Sequence, residues 1–379
     1  MKIKAIEMQF KSGKFFKDKP ILVTGHTGFK GSWLSIWLNE LGAKVIGFSL
    51  PEMPSDPCLF QNCDLKNRII DLRGDIREND SLKKIVEEYK PVLIFHLAAQ
   101  SLVLRSYSHP KETFDTNAGG TVNLLEAVRG AESVKAVVCI TTDKCYENRE
   151  WIWGYRENDR LGGHDPYSAS KAMAEMAIHS YRNSFFSTGG SVPAIASTRA
   201  GNVIGGGDFA ENRLVPDCVR ALMKNKEIPL RRPDSIRPWQ FVLEPLSGYL
   251  WLALKLMTDG REFAEAWNFG PIENKGISAR EVVSRAIELW GCGSYKDLSS
   301  QQDKTESNLL RLNSDKAGNR LHWKPAYALE TAFSMTISWY KEYHRQTMNK
   351  NDAEMYSFTV KQIDQYLGEA KRQGIEWAL

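Results

Sequence analysis

Short, almost wholly apolar segments alternate with helical patterns through the first half of the chain. Segments 21–24, 45–48, 92–95 and 134–141 have the length and composition of buried strands. Between these segments, apolar residues recur at helical spacing. Strands that are apolar on both faces and separated by helices predict a doubly wound α/β fold with a parallel sheet.

Individual residues mark where the predicted helices begin and end. Gly42 stands where the first helix needs a left-handed residue after its last turn. Asp80 is predicted to cap the start of a later helix, and Pro91 to end that helix.

Charge and cysteine patterns exclude several classes of protein. The net charge of +4 is spread along the chain, and no block of Lys or Arg marks a surface for nucleic acid. No segment approaches the roughly 18 apolar residues that span a membrane, and the first residues lack the apolar core of a signal peptide. The six cysteines form no CxxC pair and no zinc-binding pattern, so we expect free thiols, no metal site and a cytoplasmic location.

A glycine-rich turn follows the first predicted strand. Gly25, Gly28 and Gly31 fall as G-x-x-G-x-x-G and open the first helix, with Thr27 and Phe29 between them. A dinucleotide diphosphate needs backbone N–H groups at a helix N-terminus without side chains in the way. In an alternating α/β chain this turn predicts a Rossmann-type cofactor site, and the alternative is a tight turn that binds no ligand.

The regular alternation weakens after residue 198. Loops rich in Gly and Pro occupy 201–208 and 229–238. We therefore predict an NAD-binding Rossmann domain over residues 15–198 and a smaller substrate-binding lobe, mainly over residues 199–379. Chains of this kind can cross between lobes more than once.

The residues at the end of the second predicted strand bear on whether the dinucleotide is NAD or NADP. The second strand ends in Phe48-Ser49-Leu50, without the acidic residue that often binds the ribose and without a basic residue for an NADP phosphate. NAD is favoured over NADP on this basis. Asp75 is a candidate acceptor for the adenine amino group, or alternatively a turn residue or a helix cap.

The sequence Asp165 to Lys171 contains Tyr-x-x-x-Lys. This spacing places Tyr167 and Lys171 on one face of a helix, where the ammonium of Lys171 is expected to favour the phenolate form of Tyr167. The pair could then take a proton from a sugar hydroxyl. A second copy, Tyr107 to Lys111, contains Pro110, which cannot lie inside a helix and spoils this geometry.

The strand over 134–141 is followed by Thr142, Asp143 and Lys144. Ligands of open α/β sheets bind at strand carboxyl ends, so these side chains are expected beside Tyr167. An acid and a base next to each other suit an enzyme that eliminates water. The alternative is a surface turn with an ordinary Asp/Lys pair.

Several blocks closely resemble the sugar-nucleotide 4,6-dehydratases of the extended short-chain dehydrogenase/reductase family. The blocks are TGHTGFKGSWLS (24–35), TDKCYEN (142–148), WGYREN (153–158), segment 165–171, RAGNVIGGGD (199–208), IRPWQ (236–240) and LEPLSGYL (243–250). Short-chain dehydrogenases in general share only the glycine turn and Tyr-x-x-x-Lys, so the other blocks are the more specific ones.

The resemblance implies NAD as cofactor and CDP-D-glucose as substrate, with CDP-4-keto-6-deoxy-D-glucose and water as products. Oxidation at C4 would acidify the C5 proton, the C6 hydroxyl would leave as water, and the stored hydride would return to C6. The alternatives are a dehydratase of dTDP-glucose or GDP-mannose and a sugar-nucleotide 4-epimerase or reductase. An epimerase or reductase would have no use for Asp143 with a neighbouring base.

The resemblance also implies a role for each catalytic candidate. Tyr167 would be the base of the oxidation, with Lys171 as its partner and a ribose ligand. Thr142 would position the sugar, and Asp143 would protonate the leaving hydroxyl. Lys144 stands where dTDP-glucose dehydratases carry a Glu base, and it would act either as the C5 base, if its pKa were lowered, or as a stabiliser of the enolate. Glu147 is a less favoured base.

The remaining predicted contacts form two sets. The predicted cofactor-binding residues are Gly25, Thr27, Gly28, Phe29, Gly31, Asp75, Ile76, Leu97, Ala98, Ala99, Gln100, Asn117, Tyr167 and Lys171. The predicted substrate-binding residues are Gln100, Asn202, Arg213, Arg237 and Gln240. Relatives pair through the Tyr-x-x-x-Lys helix, which implies a homodimer or a homotetramer.

Overall fold

The computed structural model describes residues 14–187, 192–271, 276–299, 309–349 and 354–378. The strands are β1 (Pro20–Thr24), β2 (Lys44–Ser49), β3 (Ile70–Arg73), β4 (Leu93–His96), β5 (Ala136–Ile140), β6 (Ala194–Ala200), β7 (Asn202–Ile204), β8 (Ile228–Leu230), β9 (Ile236–Arg237), β10 (Trp239–Phe241), β11 (Ala266–Phe269), β12 (Ile277–Ser278) and β13 (Tyr295–Asp297).

Helices connect these strands and form the C-terminal part of the described chain. They are α1 (Phe29–Glu40), α2 (Leu59–Asn62), α3 (Asn79–Tyr89), α4 (Val103–Ser108), α5 (Pro110–Phe114), α6 (Gly120–Val128), α7 (Pro166–Ser184), α8 (Leu214–Met223), α9 (Leu243–Thr258), α10 (Ala279–Trp290), α11 (Asp315–Arg320), α12 (Leu329–Met348) and α13 (Tyr356–Arg372). A π-helical turn, Asp115–Gly119, joins α5 to α6.

A seven-stranded sheet lies at the centre of the described part of the chain. Its order is β11-β6-β5-β4-β1-β2-β3, and every pairing is parallel. The strand order reverses between β1 and β4, which opens a crevice at the carboxyl ends of these strands. The prediction of a doubly wound parallel sheet is confirmed.

Side chains of each central strand alternate between two apolar layers. Ile21 and Val23 of β1 pack in one layer, whereas Leu22 packs in the other. The first layer includes α1, α9, α12 and α13, and the second includes α3, α6 and part of α7. Burial on both faces explains why the central strands read as continuous apolar runs.

Two details of the sequence-based picture differ from the structure. The edge strand β3 was not predicted, because it is short and carries Asp71 and Arg73. The prediction that Asp80 caps a helix is wrong: α3 starts at Asn79, Glu78 occupies the N-cap position without a side-chain bond, and Asp80 lies in the first turn. Gly42 has the expected left-handed backbone, with a φ angle of 74°.

The C-terminal segment returns to the central sheet. β6 runs through the boundary that we placed between residues 198 and 199, and β11 pairs with β6 at the edge of the same sheet. The segments 201–208 and 229–238, expected as loops, contain parts of β7 to β9. The two-lobe division stays a prediction, with a chain that crosses back after residue 265.

Within the residues that the structure describes, no helix is long and apolar enough to cross a membrane.

Candidate active site

The glycine turn lies at the crevice between β1 and β4. Gly25 has a φ angle of 77°, and a Cβ atom there would lie 2.6 Å from the backbone nitrogen of Ala98. Gly28 precedes α1 as its N-cap residue, and no side chain caps this helix. The first N–H groups of α1 therefore face a turn without obstructing side chains, which suits a diphosphate.

Residues after β4 form the opposite wall of this crevice. The backbone nitrogen of Leu97 donates to the Thr24 carbonyl at 3.0 Å, and that of Ala98 to the Thr24 hydroxyl at 3.3 Å. Asn117, in the π-helical turn, accepts from the Gln100 backbone nitrogen at 2.8 Å and donates to its carbonyl at 3.0 Å. These bonds hold the predicted cofactor residues 97–100 beside the glycine turn.

The Gln100 side chain, predicted to contact both cofactor and substrate, is fully engaged within the protein. Its Nε2 donates to the Leu102 carbonyl at 3.1 Å and to the Thr113 hydroxyl at 2.9 Å, and its Oε1 accepts from the Leu102 nitrogen at 2.6 Å. A side-chain contact to a ligand would require breaking these bonds.

Asp75 and Ile76 lie in the turn before α3. The Asp75 carboxylate accepts from the Arg77 backbone nitrogen at 2.9 Å and from its Nε at 2.7 Å. Ile76 is buried and lies where a Cβ on Gly120 would sit. The structure thus favours the turn role for Asp75, and its contact with adenine stays a prediction.

The end of β2 carries a polar network in place of the missing acidic residue. The Ser49 hydroxyl bonds Nδ1 of the buried His26 at 2.9 Å, and His26 Nε2 lies 2.8 Å from Asp71 on β3. Arg73 pairs with the same carboxylate and donates to the Leu50 carbonyl at 3.1 Å. Its guanidinium is therefore neutralised rather than presented to a 2′-phosphate.

Helix α7 presents Tyr167 and Lys171 to the site. Asp165 caps this helix by accepting from the Ser168 nitrogen at 2.9 Å, and Pro166 occupies its first turn. Both side chains are buried, and Lys171 Nζ donates to the Ile140 carbonyl at 3.4 Å. The second Tyr-x-x-x-Lys copy is split between α4 and α5, as Pro110 predicted.

The end of β5 faces α7 with the predicted acid and hydroxyl. Thr142 donates to Asp143 at 3.0 Å, and its hydroxyl also bonds Tyr167. Lys144 follows in a short 3-10 turn, where its backbone nitrogen donates to Thr142 at 3.3 Å. The two predicted pairs therefore meet in one place.

Burial controls the protonation of these groups. It raises the pKa of Tyr167 to about 12, although the Thr142 hydrogen bond and the charge of Arg213 oppose this rise. It also lowers the pKa of Lys171 to about 8, although Glu175 opposes this shift. The charge of Arg213 favours the Tyr167 phenolate, which the sequence did not predict, and the effect of Lys171 on Tyr167 stays a prediction.

Asp143 is a buried carboxyl surrounded by cations. Burial raises its pKa, while Lys144, Arg237 and Lys30, together with the Thr142 hydroxyl, lower it. Lys30, in the glycine turn, was not predicted as a site residue. Burial lowers its pKa to about 8, and Arg213 and Lys171 contribute to the shift. The sequence feature that could have indicated Lys30 as a site residue is its charge, which is unusual inside a glycine turn.

The predicted substrate residues lie on several short elements. Asn202 on β7 is the register partner of Trp239 on β10, next to Gln240. Gln240 is buried, donates to the Phe269 carbonyl at 3.0 Å, and has an Oε1 without a hydrogen-bond partner among the described residues. A contact of Gln240 with the substrate stays a prediction.

The two predicted arginines approach the catalytic candidates. Arg213 pairs with Asp208 at 2.8 Å and donates to the Ser101 hydroxyl at 3.2 Å, and its charge lowers the pKa of Tyr167. Arg237 is buried on β9, and its charge lowers the pKa of Asp143. Cations therefore face the catalytic candidates from both of these segments.

The sheet order, the glycine turn and the paired Tyr and Lys define a dinucleotide-binding protein of the short-chain dehydrogenase type. The family model described as GDP-mannose 4,6 dehydratase matches residues 22–336. The chain belongs to this family of sugar-nucleotide dehydratases.

Individual relatives agree with this placement. A CDP-glucose 4,6-dehydratase of Salmonella typhimurium is 44% identical over 361 residues, which cover 94% of this chain and 99% of the relative. The crystal structure of a dTDP-glucose 4,6-dehydratase from Bacillus anthracis in complex with NAD is 25% identical, with a TM-score of 0.71 over 86% of this chain and 97% of that chain.

A more distant structure shares the fold alone. The epimerase Mth375 of Methanothermobacter thermautotrophicus is 21% identical, with a TM-score of 0.76 over 93% of this chain and 99% of that chain.

Proposed function

We propose that this protein is a CDP-glucose 4,6-dehydratase that uses NAD and forms CDP-4-keto-6-deoxy-D-glucose and water. The observation that carries the proposal is the meeting of Thr142 and Asp143, at the end of β5, with Tyr167 and Lys171 on α7. The Salmonella relative, which carries this activity in its name, supports cytidine as the base.

The chain's residues fit NAD. The uncapped N-terminus of α1 and the glycine turn suit the diphosphate, and the backbone at Leu97 and Ala98 lines the same crevice. Arg73 is neutralised by Asp71, which fits a ribose without a 2′-phosphate. When bound, NAD supplies the hydride acceptor for oxidation at C4 and the hydride donor for C6.

Oxidation at C4 requires a proton to leave the C4 hydroxyl. Tyr167, hydrogen-bonded to Thr142, would accept this proton in its phenolate form, and Thr142 would orient the hydroxyl. Burial raises the pKa of Tyr167 to about 12, so the phenolate depends on nearby positive charge, which Arg213 supplies and to which Lys171, one turn away on α7, and bound NAD would add. The resulting ketone acidifies the proton on C5.

Water loss requires an acid at C6 and a base at C5. Burial raises the pKa of Asp143, which suits donation of a proton to the leaving C6 hydroxyl. The bond from C6 to oxygen breaks as the C5 proton is removed, and C5 regains a proton when C6 receives the hydride. Glu147 is tied to Arg160 at 3.1 Å, which favours Lys144 as the group beside C5, either as base or as enolate stabiliser.

The sugar diphosphate would lie among the cations of the site. Arg213 and Arg237 face the catalytic groups, and guanidinium groups bind phosphate through paired hydrogen bonds. Asn202 on β7 pairs with Trp239, the residue before Gln240 on β10, and the unpaired Oε1 of Gln240 would accept from a sugar or base if the site opened to admit it.

We further propose that the protein forms a homodimer, or a homotetramer built from such dimers, in the cytoplasm. Apolar side chains are exposed on α7 and on the neighbouring α4. They are Leu104, Tyr107, Met173 and Met176, each 48% to 56% exposed. A group of large exposed apolar side chains on adjacent helices marks an interaction surface. The free thiols of all six cysteines fit a reducing compartment.

The proposal is tested by incubating the purified protein with CDP-glucose, dTDP-glucose and GDP-mannose in separate reactions. A 4-keto-6-deoxy product absorbs in alkali and loses one water by mass. We expect product from CDP-glucose and little from the other two. Product from another nucleotide sugar alone would transfer the assignment to that substrate, and C4 epimer without mass loss would make the protein an epimerase.

A further inference from the structure

A buried ion pair lies directly behind the catalytic candidates. Glu175 on α7 and Arg199 on β6 are each 3% exposed, with Arg199 Nη2 and Nε at 2.8 and 3.0 Å from the two carboxylate oxygens. The reaction steps given above use neither residue. The pair is too deep to reach solvent, so its contacts define what it can do.

Glu175 shares a helix face with both catalytic residues of α7. It lies one turn beyond Lys171 and two turns beyond Tyr167. Glu175 accepts from the Thr141 hydroxyl at 2.5 Å and from the Ser197 hydroxyl at 2.8 Å. Its carboxylate therefore ties α7 to both β5 and β6.

The end of β5 contacts α7 through three neighbouring residues. Ile140 accepts from Lys171, Thr141 donates to Glu175, and Thr142 bonds Tyr167. Three consecutive residues, the last of β5 and the two that follow it, thus each contact one of three residues on a single helix face. The next residue along the chain is Asp143.

The charge of Glu175 also faces Lys171. Around Lys171 lie Tyr167 and Glu175 on the same helix, Cys139 on β5, Cys145 after β5, Lys30 on α1 and His96 on β4. In the resting protein only Glu175 of these groups is an anion, because burial raises the pKa of Tyr167 and of both thiols. Around Glu175 lie Arg199 and Arg182 in addition to Lys171.

Glu175 stays ionised despite its burial. Burial opposes ionisation, but the charge and hydrogen bonds of Arg199 and the bonds from Thr141 and Ser197 hold the pKa of Glu175 below its ordinary value. Arg199 is itself fixed, because its Nη1 donates to the Tyr146 hydroxyl at 2.7 Å and to the Glu157 carbonyl at 3.0 Å.

We propose that Glu175 is a positioning residue of this active site, which holds the end of β5 against α7 and places a carboxylate next to Lys171. The inference rests on the proposed function, because it assigns Glu175 a role through Lys171, Thr142 and Tyr167. Arg199 acts as the partner that keeps Glu175 ionised and in place.

The test compares Glu175→Gln with the double variant Glu175→Gln/Arg199→Gln and with Glu175→Asp. The double variant removes the Arg199 guanidinium together with the carboxylate that pairs with it, so it is expected to fold even where the single variant does not. Glu157→Gln is the matched control, because Glu157 belongs to the same network and accepts from the Asn268 nitrogen at 2.9 Å but does not face Lys171.

The first measurement needs no substrate. Protein labelled with ¹³C at lysine Cε is titrated by NMR, and the Lys171 signal is the one absent from Lys171→Met. Loss of the facing anion should move the Lys171 midpoint to lower pH by about one unit or more in Glu175→Gln, and by less in the double variant, because that variant also lacks the Arg199 cation. Glu175→Asp and Glu157→Gln should keep the midpoint of the unchanged protein.

The second measurement is the pH profile of turnover. In both variants that lack the carboxylate, the high-pH limb should move to lower pH, and kcat should fall up to about 10²-fold with KM within about twofold. If the variants fold but neither the titration midpoint of Lys171 nor the pH profile of turnover changes, the inference is overturned. If the unaltered protein converts no nucleotide sugar, the proposed function fails, while the titration still decides whether Glu175 controls Lys171.

Discussion

The protonation of single side chains in this site depends on their surroundings as well as on their residue types. Asp143 is a carboxyl whose pKa burial raises, although Lys144, Arg237 and Lys30 lower it. An acid in this situation can hold a proton for the leaving hydroxyl, and the surrounding cations then stabilise the carboxylate that remains. In the proposed mechanism the proton donor for water loss is therefore Asp143, separate from Tyr167, which would serve the oxidation.

This separation gives a prediction for Asp143→Asn. The amide cannot donate a proton as a carboxylic acid does, so water loss should slow by roughly 10²-fold or more while oxidation at C4 proceeds. With substrate in excess, absorbance at 340 nm should rise within the first turnover and persist.

Glu147→Gln provides the matched control, because Glu147 pairs with Arg160 rather than with the site. It should turn over as the unaltered protein does. An equal slowing of oxidation and water loss in Asp143→Asn would contradict the acid role.

Secondary-structure elements bring these side chains together, and local spacing predicted some of this arrangement. The glycine turn, the first helix and the Tyr-x-x-x-Lys helix could be predicted because each depends on residues close in sequence. The Glu175–Arg199 pair could not, since its two residues lie 24 positions apart and meet only when β6 packs beside α7.

Two further features of the site could not be predicted from the sequence, because they depend on contacts between distant residues. The engaged amide of Gln100 depends on Thr113, which only the α4–α5 segment brings near. The position of Lys30 beside Asp143 depends on two strands that lie apart in sequence. Long-range contacts of this kind leave no periodic pattern, whereas strands buried on both faces do.

At the element scale, Gly31 should be intolerant of a side chain. A Cβ atom there would overlap the carbonyl oxygen of Gly25, so α1 would have to move away from the turn. Gly31→Ala should lower the free energy of unfolding by about 1–3 kcal/mol and reduce the NAD bound after purification. Thermal unfolding and cofactor content measure the two effects.

Gly368→Ala is the corresponding control. Gly368 lies inside α13, and a Cβ there would meet nothing within 4 Å. This variant should be equally or slightly more stable, since Ala favours helices by about 1 kcal/mol over Gly. Unchanged stability and cofactor content in Gly31→Ala would contradict the close approach.

At the scale of the whole molecule, the proposed dimer surface makes a separate prediction. Met176 is 56% exposed on the helix that also carries Tyr167 and Lys171. Met176→Glu would place a charge in the apolar interface, which should dissociate the dimer at micromolar concentration. Sedimentation equilibrium should then give the mass of one chain, 43.0 kDa.

Met348→Glu serves as the control for this change. Met348 is 69% exposed at the end of α12, away from the proposed surface. It should leave the assembly intact. A single-chain mass for the unaltered protein, or an unchanged dimer in Met176→Glu, would contradict a dimer through α7.

The return of β11 to the central sheet affects how the newly made chain can fold. During synthesis the nucleotide-binding half leaves the ribosome first, yet its edge strand is translated only after β7 to β10 and α9. Until then β6 has an unpaired edge, which is a site for wrong association. Completion of the central sheet therefore waits for the chain up to β11, so residues before and after β6 should mature as one unit rather than in succession.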